Sequence, residues 1–572
     1  MKRQAILILV AVAVYAAALV GLLWVTQDAR PVRAETSAAA WAVCPEGPPG
    51  CDSATIQGAV NAAGPGDVVR VVGSVSNNVY AENLVITKSL TLLGGCANAT
   101  CAVRAPDLFR TTIDGDGAGR AVTIEGLGNP ISVTVDGFRI IGGDASSETR
   151  NPHSGGGVGS WNAHLTLQRN VITDNAAART SGGIGGGVYV ESGTVAISQN
   201  QVVSNQAGTS PASDGGGIAL HETSGWLSDN LVQDNVSGAP GDGAGGGVNI
   251  EVCDDLAVTG NRIHDNTASA SGAGYGGGIY VRASTAFTLA DNTIYANTGS
   301  VSDNGYGGGV YVYGSHAFVS GNTLRENLSS GAAHGYGGGM EVTESDVALD
   351  HNWVVSNTAS LSQTVGTGGG LSFYTAVTAT LSGDVVLSNT ASPSGNGNGI
   401  HIGSHVLLTA TNVIVAKNYA SGSGGAIAIV PGGLSSTVTI VNSTVASNTY
   451  AGLSCSNNPT VTLVNLILWG NGNDLACAVV GTDDLSYSDV EDPDVGTGVI
   501  HQPPLFVDAE NDDFHLRAGS PCIDAGAGLA DYPWVPGEDW DGESRPSGSD
   551  YDIGADEFWA YVYLPLALKD HE

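Results

Sequence analysis

The stretch that decides the fold is GYGGGIYV, residues 274–281. Its triple glycine returns along the chain at intervals of 30 or 31 residues, and a short alternation of apolar and polar residues follows each time. A repeat of this size with one strand per unit is typical of a solenoid, whose units stack as coils. The triple glycines are Gly155–Gly157, Gly185–Gly187, Gly215–Gly217, Gly245–Gly247, Gly276–Gly278, Gly307–Gly309, Gly337–Gly339 and Gly368–Gly370.

Asparagines repeat with the same period. Two of them, five residues apart, enclose β-branched or leucine residues in each unit, and a looser version occurs at Asn442/Asn448. Asn tolerates tight turns, and its amide can also form a ladder with the Asn of the next coil. One unit has Asp384 in place of the first Asn, before Asn389. The pairs are Asn170/Asn175, Asn200/Asn205, Asn230/Asn235, Asn261/Asn266, Asn292/Asn297, Asn322/Asn327 and Asn352/Asn357.

The composition excludes one class of partner. The chain has 572 residues, with 55 Asp and Glu against 20 Lys and Arg, and a formal net charge of −35. Binding nucleic acid requires a basic surface, so nucleic acid is excluded as a partner. The acidity also keeps a long β surface soluble. Calcium, basic surfaces and neutral glycans remain open.

The N-terminus predicts export. Lys2 and Arg3 precede an uncharged apolar run from Ala5 to Val25, which is long enough to span a bilayer. A small-residue site at Val32-Arg33-Ala34 follows, so residues 1–35 form either a cleaved signal peptide or a retained signal anchor. Later segments such as 562–568 are too short to cross a membrane.

The eight cysteines fit an exported protein. Cys44/Cys51 and Cys96/Cys101 are close enough in sequence to form local disulfides, and Cys455/Cys477 lie about one coil apart. Cys253 and Cys522 are left over, either free or paired. We interpret residues 36–53 as a linker that carries the first pair.

The start of the repeat resembles a known family. Apolar residues at helical spacing from Ile56 to Ala63 predict a short capping helix before the strand Val68–Val72. Together with Gly66-Asp67-Val68 and the run from Ile86 to Gly94, it resembles the opening of right-handed parallel β-helix proteins of the pectin-lyase-like superfamily. The resemblance covers residues 54–525 and implies an all-β solenoid.

The C-terminal part departs from the repeat. Ser520–Gly526, Asp541-Gly542 and the run from Tyr551 to Phe558 resemble the ending of bacterial surface β-helix proteins that is described as a choice-of-anchor module. By this resemblance, residues 526–572 cap the solenoid and serve surface attachment. The turn-rich, acidic sequence itself favours a cap over the last core layer.

Period-two alternation predicts which residues of the post-glycine strands face water. Two outward columns result, and tyrosine rings and carboxylates in them predict a glycan-binding strip. The alternative is that Tyr and Thr occur there because they favour strands. The candidate residues are Tyr189, Glu191, His221, Asn249, Glu251, Tyr280, Arg282, Tyr311, Tyr313, Glu341 and Tyr374.

The sequence favours binding over catalysis. A lyase of this fold would need a Lys or Arg base beside acidic residues, and Glu251 with Arg282 is the candidate pair. A hydrolase would need paired carboxylates. Asp254-Asp255 reads as an exposed turn. No cofactor is indicated, although Asp114/Asp116 or the acidic run 489–494 could bind calcium.

These observations predict a non-enzymatic bacterial protein at the cell surface or outside the cell, which serves adhesion or polysaccharide binding. The alternative is a polysaccharide lyase or glycoside hydrolase that acts on an acidic glycan. The expected partner is an extracellular polysaccharide or cell-surface component, with membrane contact only through residues 1–35.

Overall fold

The computed structural model describes residues 38–559, except 210–212, 363–365, 394, 420–423 and 479–483. The predicted signal segment and the tail after residue 559 lie outside the described residues. Within the described residues, no helix is both long and apolar enough to cross a bilayer.

The chain winds into a parallel β-helix of about 14 turns, which confirms the predicted solenoid. Each coil contributes strands to three ladders, here named faces A, B and C in chain order from the triple glycine. The strands pair in parallel with the equivalent strand one coil away. Val248, for example, lies opposite Ile279, and Ile279 lies opposite Val310. One coil therefore corresponds to one sequence repeat.

Face A begins directly after the triple glycines, and face B follows it. Face A contains Leu84–Ile86, Val122–Glu125, Val248–Glu251, Ile279–Arg282, Val310–Tyr313, Met340–Thr343, Gly425–Ile429, Ala451–Cys455 and Asn473–Ala476. Face B contains Ala40–Val43, Val68–Val72, Leu90–Cys96, Ile131–Asp136, Leu256–Thr259, Phe287–Ala290, His316–Ser320, Asp346–Asp350 and Leu485–Ser486. Five strands run through both faces: Val158–Gln168, Val188–Ser198, Ile218–Ser228, Leu371–Ser382 and Ile400–Thr411.

Face C lies between the paired asparagines. It contains Asn78–Ala81, Thr111–Asp114, Arg139–Ile141, Val171–Thr173, Gln201–Val203, Leu231–Gln233, Arg262–His264, Thr293–Tyr295, Thr323–Arg325, Trp353–Val355, Val385–Leu387, Ile414–Ala416 and Asp489–Val490. Thr437–Ala446 and Thr460–Trp469 run through faces B and C.

The central coils add two ladders of very short strands between face C and the next triple glycine. One contains Gln206–Gly208, Val236–Gly238, Thr267–Ser269, Thr298–Ser300, Leu328–Ser330 and Thr358–Ser360. The other, here named the cover ladder, contains Ser213–Asp214, Gly243–Ala244, Gly274–Tyr275, Gly305–Tyr306, Gly335–Tyr336 and Gly366–Thr367.

The residues predicted to point inward form one continuous core. Val188, Val190, Ile279 and Val281 are fully buried, as are their equivalents along face A. Alternation along each strand therefore separates core residues from outward ones as the period of two requires.

The triple glycine is required by backbone geometry. Gly276 has φ of +63°, which an L side chain rarely adopts. A Cβ on Gly277 would lie 2.4 Å from the carbonyl oxygen of Gly308, and one on Gly278 would lie 2.7 Å from that of Gly309. The coils are thus too close at this corner for any side chain.

The asparagines form two buried ladders, as predicted. Asn235 donates from its backbone nitrogen and from Nδ2 to Oδ1 of Asn266, both at 3.0 Å, and its Nδ2 also donates to the carbonyl oxygen of Val202 at 2.8 Å. The second ladder continues through Asn389, Asn418 and Asn448 to Asn471. Buried amides thus satisfy the backbone at each turn.

One predicted Asn pair is wrong. Asn448 belongs to the second ladder, but Asn442 accepts from Nδ2 of Asn465 at 3.1 Å and donates to the carbonyl oxygen of Asp552. The looser spacing therefore coincides with a contact between Asn442 and the C-terminal segment. This contact is not part of the repeat.

The N-terminal region contains the predicted helix, at Ile56–Ala62, with Thr55 as its N-cap. Its buried residues Ile56, Ala59 and Val60 belong to the main core. The stretch interpreted as a linker also contains a strand, Ala40–Val43, which pairs with Val68–Val71. A capping role for the helix stays a prediction.

The cysteine predictions are confirmed for three pairs. Disulfides join Cys44 to Cys51, Cys96 to Cys101, and Cys455 to Cys477. Cys253 and Cys522 are buried free thiols. Burial raises the pKa of both thiols, so they stay protonated.

The C-terminal segment, residues 506–559, lies along the outer side of face C. Phe506–Asp508 pairs antiparallel with Asp513–Leu516. The segment then contacts several coils in turn: Glu538 accepts from Asn412, and Ala527 donates to Asn465 at 2.7 Å. We expected a cap over the last core layer. The segment covers the flank of the coils from Val385 to Ile467, whose outward apolar residues pack against it. A cap over the last core layer stays a prediction.

Candidate functional site

The register of face A confirms the two outward columns. Glu191, His221, Glu251 and Arg282 lie opposite one another on successive coils, followed by Tyr313. The other column contains Tyr189, Ala219, Asn249, Tyr280, Tyr311, Glu341, Ser372 and His401.

The prediction that this second column faces water is wrong. Tyr311, Asn249 and Glu341 are 8%, 4% and 1% exposed. The positive φ of each leading glycine folds the preceding residues back over the strand, so the cover ladder lies on the column. Alternation shows which side of a strand faces away from the core, but not whether a nearby turn covers that side.

The tyrosines stack on one another. Tyr306 lies between Tyr275 and Tyr336 with ring centroids 5.0 Å apart on each side, and Tyr280 stacks on Tyr311 at 5.4 Å. Burial raises the pKa of Tyr306 to about 12, so its hydroxyl stays neutral. Because both faces of the Tyr306 ring contact other rings, it does not offer a platform for a sugar.

Glu341 is also enclosed. Burial raises its carboxyl pKa to about 8, against hydrogen bonds from Ser372 and Thr343 that lower it. The next residues of the column, Ser372 and His401, are buried, and burial lowers the pKa of His401 to about 4. Glu341 therefore does not belong to a solvent-facing site. Tyr374 does not belong to this enclosed group. It is 45% exposed, and its ring lies edge-on to that of Tyr336.

The cover opens in the coils from residue 184 to residue 251. A cleft of about 170 Å³ lies there, and it is here named the acidic cleft. The cover ladder carries Asp214 and Ala244 at this level, where the next coil has Tyr275. Small side chains in place of a tyrosine ring leave the gap. The cleft is lined by Ile184, Tyr189, Glu191, Asp214, Ala219, Leu220, His221, Asn249 and Glu251.

Asp214 is the site residue that the sequence analysis missed. It lies in the turn before a triple glycine, outside the alternating strand. The signal that could have found it is the column of Tyr275, Tyr306 and Tyr336, because this column extends back through Ala244 to Asp214.

The acidic cleft contains more acidic than basic groups. Burial is the main cause that raises the pKa of Asp214 to about 6; the charge of Glu251 adds to it and Arg282 opposes it. Arg282 donates from Nη1 to Oε1 of Glu251 at 2.8 Å, and the Tyr189 hydroxyl donates to Oε2 of Glu191 at 3.1 Å. The structure thus brings together the predicted Glu251 and Arg282.

Asn249 supplies an unusual polar group. Its Oδ1 is buried and has no hydrogen-bond partner among the described residues. A buried acceptor without a partner costs about 1–3 kcal/mol, so a donor from a ligand would be stabilised there. Carboxylates and this amide oxygen make the cleft rich in acceptors.

The comparisons with known proteins concern the fold. The family model for the right handed beta helix region matches residues 241–385. The fold is a right-handed parallel β-helix.

Three solved structures match parts of this chain at low sequence identity. DFA-IIIase from Arthrobacter chlorophenolicus A6 has 13% identity and a TM-score of 0.27, over 65% of this chain and 86% of that chain. Pectate lyase Pel9A has 12% identity and a TM-score of 0.24, over 91% and 96%. The A-module of the Azotobacter vinelandii mannuronan C-5 epimerase AlgE6 has 15% identity and a TM-score of 0.22, over 78% and 94%. No curated protein sequence matches the chain.

The β-helix has a larger cleft of about 690 Å³ near its C-terminal end. It is lined by uncharged residues, including Tyr450, Ser454 and Asn473. Segments 420–423 and 479–483, next in sequence to its lining, lie outside the described residues. Its surface offers no charged group from the described lining, so the acidic cleft remains the candidate site.

Potential metal ligands of the β-helix protein converge elsewhere. Within the described ranges, His515, Asp541 and Asp556 form one group of three with ligand atoms within 4.8 Å, and Asp539, Asp541 and Glu543 form another. Asp539 also accepts from the backbone of Glu543 at 2.7 Å, which holds its turn. The Asp114/Asp116 pair and the run 489–494, considered for calcium, do not form such a group among those residues.

Proposed function

We propose that this protein is an exported β-helix protein that binds a polysaccharide on face A, with the acidic cleft as the site for one sugar residue. The observation that carries the proposal is the convergence of Glu191, Asp214, Glu251 and the unpartnered Oδ1 of Asn249 on one cleft. Sugars present many hydroxyl donors, and a few converging polar groups fix the orientation of a ligand.

The cleft also offers apolar surface. The partly exposed Ile184 lines it beside the acceptors. Apolar side chains can contact the C–H groups of a sugar ring, while the carboxylates bind its hydroxyls. Binding at this cleft would therefore use edge contacts and hydrogen bonds rather than stacking on the buried tyrosines.

Export is supported by the three disulfides, which form and persist in oxidising compartments. We place the protein outside the cytoplasm, at the surface of a bacterium or beyond it, where adhesion through a polysaccharide is the expected role. Surface attachment by residues 526–572 is part of this proposal.

A glycan array with the disulfide-bonded protein tests this function. We expect bound glycans to be lost or weakened about tenfold in Glu191→Gln, because the change removes a charged acceptor of the cleft. Glu326→Gln, at an exposed glutamate just after the face C strand Thr323–Arg325, is the matched control and should bind as the parent does. Absence of glycan binding by the parent protein would leave a structural spacer.

Glycoside hydrolysis is the second candidate function. A carboxyl with a pKa raised to about 6 beside a second carboxylate is the arrangement in which one group donates a proton and the other acts as base or nucleophile. Asp214 would be the acid and Glu251 its partner. Release of reducing ends by the parent protein that disappears in Asp214→Asn, at glycan concentrations that saturate the variant, would establish this reaction.

A lyase is less well supported. Arg282, its candidate base, donates to Glu251, and the neighbouring carboxylates repel an acidic glycan. Release of unsaturated oligosaccharides by the parent protein, abolished in Arg282→Ala, would establish the lyase instead.

A further inference from the structure

We infer that the acidic cleft selects a sugar residue with a free ammonium group, that is, a deacetylated hexosamine within a glycan. This inference rests on the proposed function and specifies its ligand. It follows from the hydrogen-bonding character and the charge of the cleft, which both oppose the acidic glycan that the alternative enzymatic function would require.

The first argument is the balance of donors and acceptors. Asn249 is buried, lines the cleft and has no partner for its Oδ1 among the described residues. Glu191 and Glu251 already accept one hydrogen bond each, from Tyr189 and Arg282, and keep further lone pairs. A ligand that satisfies these groups must donate. An ammonium group has three N–H donors and no acceptor, so it fits this requirement better than an acetamido group.

The second argument is charge. Three carboxylates line or border the cleft, and Arg282 supplies the only guanidinium placed against them within the described part of the chain. Burial is the main cause of the raised pKa of Asp214, and repulsion from Glu251 adds to it. A cation in this partly desolvated site would relieve that repulsion, whereas a neutral sugar would leave it in place.

The third argument separates a sugar from a metal ion. Among the described residues, Glu191, Asp214 and Glu251 do not place three ligand atoms within 4.8 Å, whereas the C-terminal acidic groups do. The carboxylates border a cleft of about 170 Å³, which leaves room for a ligand larger than a bare ion. The partly exposed Ile184 gives the cleft an apolar wall that suits the carbon skeleton of a sugar ring.

Calorimetric titration of the disulfide-bonded protein with fully deacetylated glucosamine oligomers tests the inference. Fully N-acetylated oligomers of the same length are the matched ligand. We expect the deacetylated oligomers to bind at least about tenfold more tightly, because charged hydrogen bonds are stronger than neutral ones. Their affinity should fall as salt is added, since the attraction is electrostatic.

Two conservative variants locate the effect. Asp214→Asn and Glu191→Gln should each weaken binding of the deacetylated oligomers about tenfold or more, with a smaller effect on N-acetylated ones. Glu326→Gln should change neither. Thermal unfolding of each variant checks that the coils are intact, so that loss of binding reports on the cleft.

The contrary outcomes are distinct. Equal or tighter binding of N-acetylated oligomers would overturn the selectivity for an ammonium group and leave the proposed glycan binding in place. Equal binding of an oligolysine peptide would show that the cleft binds cationic peptides and would also overturn the inference. Absence of glycan binding in both the array and the titration would overturn the proposed function itself.

Discussion

Two regions of the β-helix differ in what covers their outer side. In a central coil, Thr323-Leu324-Arg325 of face C buries its middle residue and leaves the flanking two half-exposed; farther along, all three residues of Val385-Val386-Leu387 are buried. The C-terminal segment lies on the latter coils and packs Phe514 and Ala555 against them. A solenoid coil keeps its core in both cases, and its outer residues depend on the partner of that face.

Face A also differs along its length in what covers its outer side. Tyrosines of the cover ladder close it around Tyr306, and the acidic cleft opens where Ala244 and Asp214 replace them. A regular backbone thus carries both a closed and an open outer surface. The open one is where the ligand groups converge.

The largest effect is expected from a substitution that detaches the C-terminal segment from the coils that it covers. Arg545 and Glu557 are fully buried and paired at 3.0 Å, and Arg545 also donates to the carbonyl oxygens of Gly554 and Ala555. Arg545→Ala would leave a buried carboxylate without its partner, at a cost of about 3–5 kcal/mol. We expect faster proteolysis within residues 506–559 and loss of amide protection around Ile414.

An exposed arginine provides the control for this change. Arg139, which is 46% exposed and lies 3.9 Å from Asp174, should tolerate replacement by alanine with little change in protection. Equal effects of the two alanine variants would contradict the buried pair as the anchor of the segment. Arg545→Ala with Glu557→Gln should be less damaging than Arg545→Ala alone.

The next effect compares the middle of the second Asn ladder with its end. Asn266 accepts two hydrogen bonds from Asn235 and donates to Asn297. Asn266→Ala should lower the free energy of unfolding by about 2–4 kcal/mol, because it leaves buried donors without acceptors on the adjoining coil.

Asn471 ends the same ladder and is the matched comparison. It accepts from Asn448 but has only one Asn neighbour, and it is partly exposed. Asn471→Ala should therefore cost less, about 1–2 kcal/mol, because water can replace part of what is lost. Calorimetric unfolding measures both variants, and equal losses would show that position in the ladder does not matter.

The smallest effect has the opposite sign and depends on pH. Asp384 replaces an Asn of the first ladder, and burial raises its pKa from 3.8 to about 7. The folded state therefore binds more protons than the unfolded state between these values, so the stability due to this group falls as pH rises through that window. Asp384→Asn should remove the fall and stabilise the protein by about 1–3 kcal/mol at pH 8.

Melting temperatures at pH 4 and pH 8 check this prediction. The gain from Asp384→Asn should be small at pH 4 and full at pH 8. Asp234→Asn changes an exposed carboxylate next to Asn235 in another coil and is the control. A gain that is the same at both pH values would contradict titration of Asp384 as its cause.

Much of the fold could be predicted from the sequence because each coil repeats one hydrogen-bonding pattern. The triple glycines mark corners where a Cβ would meet the next coil, and the Asn pairs mark turns that amides satisfy. The candidate site was predicted only in part. Glu251 and Arg282 were predicted to be neighbours and are paired, but Asp214 lies in a turn that alternation does not describe.

The sequence by itself therefore determined the solenoid, its register and the inward residues, because these follow from spacing along one strand and between adjacent coils. Only the tertiary structure decided which outward residues meet water. That outcome depends on turns that fold back over face A and on a segment, residues 506–559, that returns to face C from far along the chain. Such contacts do not recur from coil to coil, so the spacing of the repeat does not predict them.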